Sequence, residues 1–351
     1  MKTLEQLLSN FESIPVTISW YLTDLSESKG KQELFTKQSP QKLKVLREHS
    51  IIESAISSNR IEGVKVNKNR IGTVIFGRSL LKDRDEEEVR GYRKALDLIH
   101  QKRAKLPISE KTILQLHQLS RGKIWDAGKY KEKDGDIIEK YPDGRERVRF
   151  KTVSAKNTPD AMKQLISKWN ECLKKKPIHP LITLAAFNLD FLCIHPFRDG
   201  NGRVSRLLLL LQCYHLGYEV GRFISLERLI EENKERYYET LEQSSINWHQ
   251  GSQNSLPYIA FLLYILKTAY REFEERLGKM KTPRGEKTDL IILAIQKSNE
   301  VFRISDLQHQ CPGISIDMIR KVLKDLKNKD KIICLGRGHT AQWKKTKKWI
   351  N

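Results

Sequence analysis

Between Ile194 and Leu207 the chain reads His195-Pro196-Phe197-Arg198-Asp199-Gly200-Asn201-Gly202-Arg203-Val204-Ser205-Arg206, which gathers a base, a carboxylate, a glycine-bearing turn and arginines into twelve positions. These residue types suit phosphate chemistry. An imidazole at His195 titrates near physiological pH and can take a proton from an attacking hydroxyl. Asp199 offers a hard oxygen ligand to Mg²⁺, which favours one or two carboxylates plus phosphate oxygens and water. Gly200, Asn201 and Gly202 fall where a helix should begin. Small residues there let an anion approach free backbone N–H groups, and the helix dipole favours its charge. Arg203 and Arg206, three apart, share a face of the first turn and can clamp outer phosphates with paired hydrogen bonds.

Each part also has an ordinary structural use. A histidine at a helix end caps it, Asp-Gly and Asn-Gly form turns, paired arginines stay solvated, and Phe197 anchors the loop to a core whatever the loop does. Their concurrence between two apolar runs, Leu181 to Ile194 and Leu207 to Leu211, points to a site.

Most of residues 1 to 280 carries apolar residues at three- and four-residue steps, which predicts helices. They run over Leu43 to Ile56, Glu86 to His100, Glu110 to Leu119, Asp160 to Lys174, Pro180 to Ile194, Gly202 to Leu216, Ser225 to Ser244 and Leu256 to Leu277. Between Gly128 and Val153 the pattern changes to a short hairpin: Ile137-Ile138, a Tyr141-Pro142-Asp143-Gly144 turn, then Val148 to Val153. A lone hairpin buries little by itself, so it is an edge decoration or a flap. From about Gly278 a polar linker, Lys281 to Lys287, leads to three short helical patterns, Asp289 to Lys297, Ile304 to Gln310 and Ile316 to Leu326. Two strand-like runs follow, Ile332 to Leu335 and Ala341 to Trp343. The expectation is a mainly all-α chain in three parts: residues 1–74, 75–280 and 281–351.

At 351 residues the chain can bury more than one core. Its hydrophobic fraction, 39%, is low and its charged fraction, 30%, high, yet the recurring periodicity argues against disorder. A net charge of +21 favours anionic partners: nucleotides, nucleic acid or acidic proteins. The five cysteines are odd in number and unpaired in spacing, as expected of inert thiols in a reducing cytoplasm. Neither a signal peptide nor a membrane span is read, so a soluble, cytoplasmic protein with no membrane partner is expected.

The loop resembles the signature of the Fic family, His-Pro-Phe-x-Asp/Glu-Gly-Asn-Gly-Arg-x-x-Arg, at every fixed position from His195 to Arg206. The resemblance covers roughly Ile75 to Ile265. It implies a Fic-type helical bundle that moves AMP from ATP, with Mg²⁺, onto a Ser, Thr or Tyr hydroxyl of a target protein. His195 would then be the general base and Asp199 the Mg²⁺ ligand. Gly200, Asn201 and Gly202 would form the anion cradle, Arg203 would bind the phosphate tail, and the ATP-binding stretch would run on through Val204 and Ser205 to Arg206. The hairpin is similar to the family's flap, with Asp136, Ile137 and Ile138 aligning the target by backbone pairing. Tyr238, of the pair Tyr237-Tyr238, would lie beside the adenine.

Upstream, Ser57-Ser58-Asn59-Arg60-Ile61-Glu62-Gly63 ends a helix in glycine, an ordinary C-cap by itself. Beside such a loop it resembles the family's inhibitory helix, matched by Ser58, Glu62 and Gly63. Glu62 paired with Arg206 would remove the cation meant for the γ-phosphate. The same carboxylate could instead orient a water for removal of AMP, so the net direction stays open. Residues 281 to 351 hold 16 Lys/Arg and 7 Asp/Glu. Their element order resembles a winged helix, with Ile316 to Leu326 as recognition helix and Arg320, Lys321 and Lys324 free for phosphates or bases. Lys344, Lys345, Lys347 and Lys348 would extend the patch. DNA is the expected partner there and a protein the alternative. A DNA-binding regulator that only senses ATP, and a transferase of another phosphate-bearing group, remain the competing functions. Relatives often form a homodimer, and no segment marks its interface.

Overall fold

The structure, a computed structural model, describes residues 2–10, 13–38, 40–64, 74, 81, 83–122, 124–140, 143–279, 286–311, 314–336, 338, 341–346 and 349. Several expectations lie outside the described residues: the boundary at 75, the linker from Lys281 to Gly285, Tyr141-Pro142 of the hairpin turn, and the basic residues Lys347 and Lys348.

The chain is mainly helical with small antiparallel sheets. Helices α1 (Lys2–Asn10), α2 (Val16–Gln38), α3 (Pro40–Ile61), α4 (Arg84–Lys102) and α5 (Glu110–Arg121) precede a hairpin of β1 (Ile137–Lys140) and β2 (Glu146–Phe150). Then come α6 (Thr158–Lys175), α7 (Pro180–Ile194), α8 (Asn201–His215), α9 (Leu226–Glu232), α10 (Lys234–Ser245) and α11 (Leu256–Lys279).

The centre is α7. Its residues are apolar on every side, as a helix with no solvent face must be, and nearly all are buried. Helices α1, α6, α8 and α11 pack around it. Its buried polar residues are Thr183, Asn188 and Asp190, of which Asp190 is ionisable. The Asp190 carboxylate accepts the N–H groups of Thr3 (2.9 Å) and Leu4 (3.1 Å) at the start of α1, and Nε1–H of Trp248 (2.6 Å). The two helices α4 and α5 approach closely at Gly91, where a Cβ would overlap the Leu119 carbonyl.

Two expectations need correction. The single helix over Ser225 to Ser244 is two, separated at Asn233, whose φ of −117° and ψ of 32° leave the helical region. Its side-chain amide donates back to Leu229 O at 2.8 Å, the local competition by which asparagine interrupts helices. In the last segment, α12 (Glu286–Lys297), α13 (Ile304–Gln310) and α14 (Ile316–Asn328) are joined by three strands rather than two. They are β3 (Val301–Arg303), β4 (Ile332–Cys334) and β5 (Gln342–Lys345), in the antiparallel order β3-β5-β4.

Of the five cysteines, all are free and all but Cys334 are buried; burial pushes the Cys213 and Cys311 thiols up to about 12. Among the described residues no helix is long and apolar enough to cross a membrane.

Burial also sets a pH dependence. His100 is buried beside the Tyr214 hydroxyl (2.8 Å), and desolvation, aided by Arg47, Arg222 and Arg103, lowers its pKa to about 3. The unfolded chain takes that proton near 6.5 while the folded one refuses it, so stability falls as pH drops from 6.5 towards 3. Thermal unfolding should therefore lose roughly 2 kcal/mol per such imidazole between pH 6.5 and 5. His100→Gln, which keeps an acceptor for Tyr214, should show a shallower slope; an unchanged slope contradicts the assignment.

Candidate functional site

The twelve-residue loop joins the centre of the bundle to α8. Helix α7 ends as His195 enters the left-handed region (φ 52°, ψ 62°) with its N–H on Phe191 O at 3.0 Å. For a residue with a Cβ this conformation costs roughly 1–3 kcal/mol and persists only where neighbours enforce it. Phe197 is buried and stacks on the ring of His117, with centroids 3.8 Å apart. Gly200, at φ 86°, supplies the second left-handed residue and caps α8.

His195 Nδ1 lies 3.2 Å from Leu192 O. A carbonyl only accepts, so Nδ1 carries the proton and Nε2 keeps its lone pair, the form a general base requires. Burial, with the Lys131 ammonium adding like charge, lowers its pKa to about 4 against the opposing Leu192 hydrogen bond and the carboxylates of Glu62 and Asp199. The ring is neutral at pH 7.

The other loop residues divide their work unexpectedly. The Asn201 side chain does not face the cradle: its Oδ1 accepts Phe197 N–H (2.9 Å) and its Nδ2 donates to Phe197 O (2.7 Å), so it braces the loop from inside. Its backbone, with those of Gly202 and Arg203, forms the first turn of α8, where helix geometry leaves N–H groups without carbonyl partners. Val204 and Ser205 are buried in the next turn, Ser205 with its hydroxyl on Gly202 O at 3.1 Å.

Arg203 is buried and donates to Glu88 Oε2 at 2.6 Å. Glu88 also takes Arg121 and Arg84, and Asp199 is paired with the same two arginines at 2.8 and 3.1 Å, with Arg203 at 3.5 Å. Burial alone would raise the Asp199 pKa, but Arg121, Arg203 and Arg84 outweigh it and hold the carboxyl below its usual range. One half-exposed carboxylate suits Mg²⁺ only if phosphate oxygens and water complete the shell, and a cation arriving there would displace guanidiniums. Among the described residues no cluster of three or more His, Cys, Asp or Glu could hold a metal alone.

Helix α3 reaches across to α8. Arg206 is buried; its Nε donates to Ser58 Oγ and its Nη2 to Ser58 O, both at 2.9 Å, and Nη2 meets Glu62 Oε1 at 2.6 Å. Burial would lower the Arg206 pKa, yet the Glu62 carboxylate outweighs it and the pKa is raised. Arg206 Nη1 and Arg203 Nε are buried with no hydrogen-bond partner among the described residues. Such orphaned donors are costly and are what an anion would satisfy. Gly63, at φ 84°, ends the helix, and a Cβ placed on Gly202 would overlap the Glu62 carboxylate, which therefore lies directly over the first turn of α8.

The hairpin stands beside this site. Ile138 pairs with Val148, both about half exposed, and a register shift falls between Ile137 and Ile138; Asp136 precedes β1 and is exposed. Strand β2 is tied to α10: Arg147 meets Glu242 at 2.5 Å and Arg149 donates to Tyr238 O at 2.6 Å. The two tyrosines part company. Tyr237 is buried against Tyr258 and Phe261, whereas Tyr238 is half-buried, flanked by Arg149 and Lys234, with its hydroxyl 3.5 Å from Ile61 O.

Arg84, Glu88, His117, Arg121 and Lys131 were not foreseen as part of this site. A signal existed: Glu88 shares a helix face with Tyr92, Ala95 and Ile99, and His117 and Arg121 follow Ile113 at four-residue steps. A charge on a core-facing stripe must be paired.

Fold and loop together define a helical domain built around a glycine-capped helix start with buried arginines beside it. Residues 107–213 match the model of the Fic/DOC family. The chain is similar to a Nematostella vectensis protein named protein adenylyltransferase Fic, with 26% identity over 205 residues, 54% of this chain and 42% of that protein; it thus spans under half of that relative's length. Among solved structures, a Fic family protein from Desulfovibrio desulfuricans superposes with a TM-score of 0.61 and 22% identity, over 95% of this chain and 97% of that one. A Fic domain containing signaling protein from Bacteroides thetaiotaomicron also gives 0.61, with 21% identity, over 73% and 97%. At these identities the likeness is one of fold.

Proposed function

We propose that the protein is an ATP-dependent protein adenylyltransferase, moving AMP onto a Ser, Thr or Tyr hydroxyl of a target protein and held in check by Glu62. The observation that carries this reading is an imidazole whose Nδ1 faces Leu192 O, leaving Nε2 as the basic nitrogen, beside the glycine-capped start of α8. The target hydroxyl gives its proton to His195 Nε2 as its oxygen bonds to the α-phosphorus, and the bond to the diphosphate leaving group breaks. Gly200, whose own N–H donates to Asp199 Oδ1 at 2.5 Å, shapes the cradle; backbone N–H groups of Asn201 and Gly202 hold the phosphates, with Arg203 and Arg206 on the outer ones. Val204 and Ser205 keep that turn packed. Asp199 would hold Mg²⁺, which neutralises phosphate charge. The edge of β1 at Asp136, Ile137 and Ile138 aligns the target, and Tyr238 borders the adenine. In the same reading residues 1–74 form the inhibitory part, 75–280 the catalytic part and 281–351 an appended basic module, in a cytoplasmic protein.

α-labelled and γ-labelled ATP separate this reading from its rivals. Label from the α-phosphate alone, lost in His195→Ala, is expected. Label from γ means phosphotransfer. No label from either, even after Glu62→Gly, leaves an ATP-sensing regulator. Loss of AMP from a pre-labelled target would make Glu62 a water-orienting group and the net direction removal.

A second reading concerns the C-terminal module, which we take as a winged helix that binds DNA. Helix α14 buries Ile319, Val322, Leu323 and Leu326 and exposes Arg320, Lys321 and Lys324 on the opposite side. Lys345 does not extend this patch. Its ammonium donates to the carbonyls of Gln296 (3.0 Å) and Ser298 (2.6 Å) at the end of α12, while Lys344 pairs with Glu300 at 3.3 Å. Duplex binding should weaken steeply with salt, and replacing Lys321 or Lys324 with alanine should reduce the log–log slope by about 1 each. Salt-independent binding, or none, favours a protein partner.

A further inference from the structure

The left-handed turn at His195 must be held by its surroundings, and one residue holds both sides of it. The backbone N–H of Lys131 donates to Pro196 O at 2.9 Å, and its ammonium donates to Ile194 O at 3.2 Å; these carbonyls flank His195 in sequence. The same nitrogen donates to Thr152 Oγ1 at 2.7 Å, whose hydroxyl donates to Gly135 O at 2.6 Å. Gly135 and Thr152 are the two feet of the β1–β2 hairpin. Lys131 is only 7% exposed, and few lysines are buried without a task. Its own neighbours show what the burial achieves: a single ammonium is shared by the hairpin feet and by the last carbonyl of α7.

We infer that Lys131 is the positioning residue of this site, fixing the turn that presents His195 and tying it to the base of the hairpin. The inference rests on His195 being the base, but the geometry of the turn can be read without turnover. Arginine at this position would keep a cation with several N–H donors, whereas methionine of similar length has none. Burial lowers the Lys131 ammonium to about 8 against the opposing Asp134 and Asp136, in line with a nitrogen held among carbonyls rather than in a salt bridge.

The test uses the full chain in a Glu62→Gly background, with Lys131→Met, Lys131→Arg and Thr152→Ala. Lys131→Met is expected to lower kcat about 10²-fold, the scale of a roughly 1 Å misplacement, with ATP affinity within about threefold. Lys131→Arg should recover most of the loss. Thr152→Ala, which removes one of the ammonium's partners and leaves the fold's core untouched, should lower kcat by a smaller factor in the same direction. Imidazole ¹⁵N spectra, which need no turnover, should show His195 as the Nδ1–H tautomer in the parent and a mixture in Lys131→Met. An unchanged tautomer in Lys131→Met or, where that variant does not fold, in Thr152→Ala overturns the inference. So does a kcat within threefold of the parent when the parent transfers AMP.

Discussion

Replacing Glu62 with glycine is expected to raise labelling from α-labelled ATP by about 10²-fold, the factor associated with bringing a reacting group back by roughly 1 Å. The size follows from what the carboxylate obstructs. It takes Nη2 of Arg206 at 2.6 Å and lies over Gly202, in the space above the first turn of α8. In the proposed reading a γ-phosphate directed to the same guanidinium would meet a negative charge already in place, and a bound nucleotide would have its tail displaced. Arg206 itself stays in place, because Ser58 fixes it through two further bonds and α3 is pinned elsewhere: Ser54 donates to Glu227 and Arg60 pairs with Glu231. Rates measured side by side on wild type and Glu62→Gly decide the matter. A variant no faster than wild type removes the brake from the account.

The second large effect is at His195. In the Glu62→Gly background, His195→Ala is expected to lower AMP transfer by about 10²–10⁴-fold, the usual contribution of a positioned base. ATP affinity should stay nearly constant, since the proposed function places the phosphates on the α8 turn and the arginines rather than on the imidazole. His195→Asn keeps a hydrogen bond to Leu192 O in reach while removing the basic nitrogen, so it should be as slow as alanine. An asparagine variant with near-parental activity would mean that the ring only shapes the turn.

Much of this was legible in the residues because the loop's chemistry and its flanking helices agree. An apolar run with no polar face, such as Leu181 to Ile194, has only the centre of a bundle to occupy, and a glycine-rich turn after it has only a helix start to serve. Long-range pairing was harder to see. Glu88 closes a run of acidic residues at the start of α4, where carboxylates ordinarily favour the helix dipole in solvent; only in three dimensions does it gather Arg84, Arg121 and Arg203. The second task of Asn201 was not legible, because local sequence cannot show that its side-chain amide clasps the backbone four residues back. Helix α2 was hidden for another reason. It buries Ile18, Leu22 and Leu25 yet exposes Val16, Trp20 and Leu34, so its apolar residues mark no single face. The three-residue β3 is too short to show alternation at all.

Glu62 holds Arg206 in this structure, and the proposed active state gives that guanidinium to the γ-phosphate. The direct measurement is the affinity of ATP relative to ADP, by calorimetry, in wild type and Glu62→Gly. A charge-assisted hydrogen bond contributes about 1.5–3 kcal/mol, so the variant should prefer ATP by about 10-fold or more, while wild type binds the two within about threefold. The same ratio in both proteins would show that Glu62 does not compete for Arg206, and the proposed brake would fall.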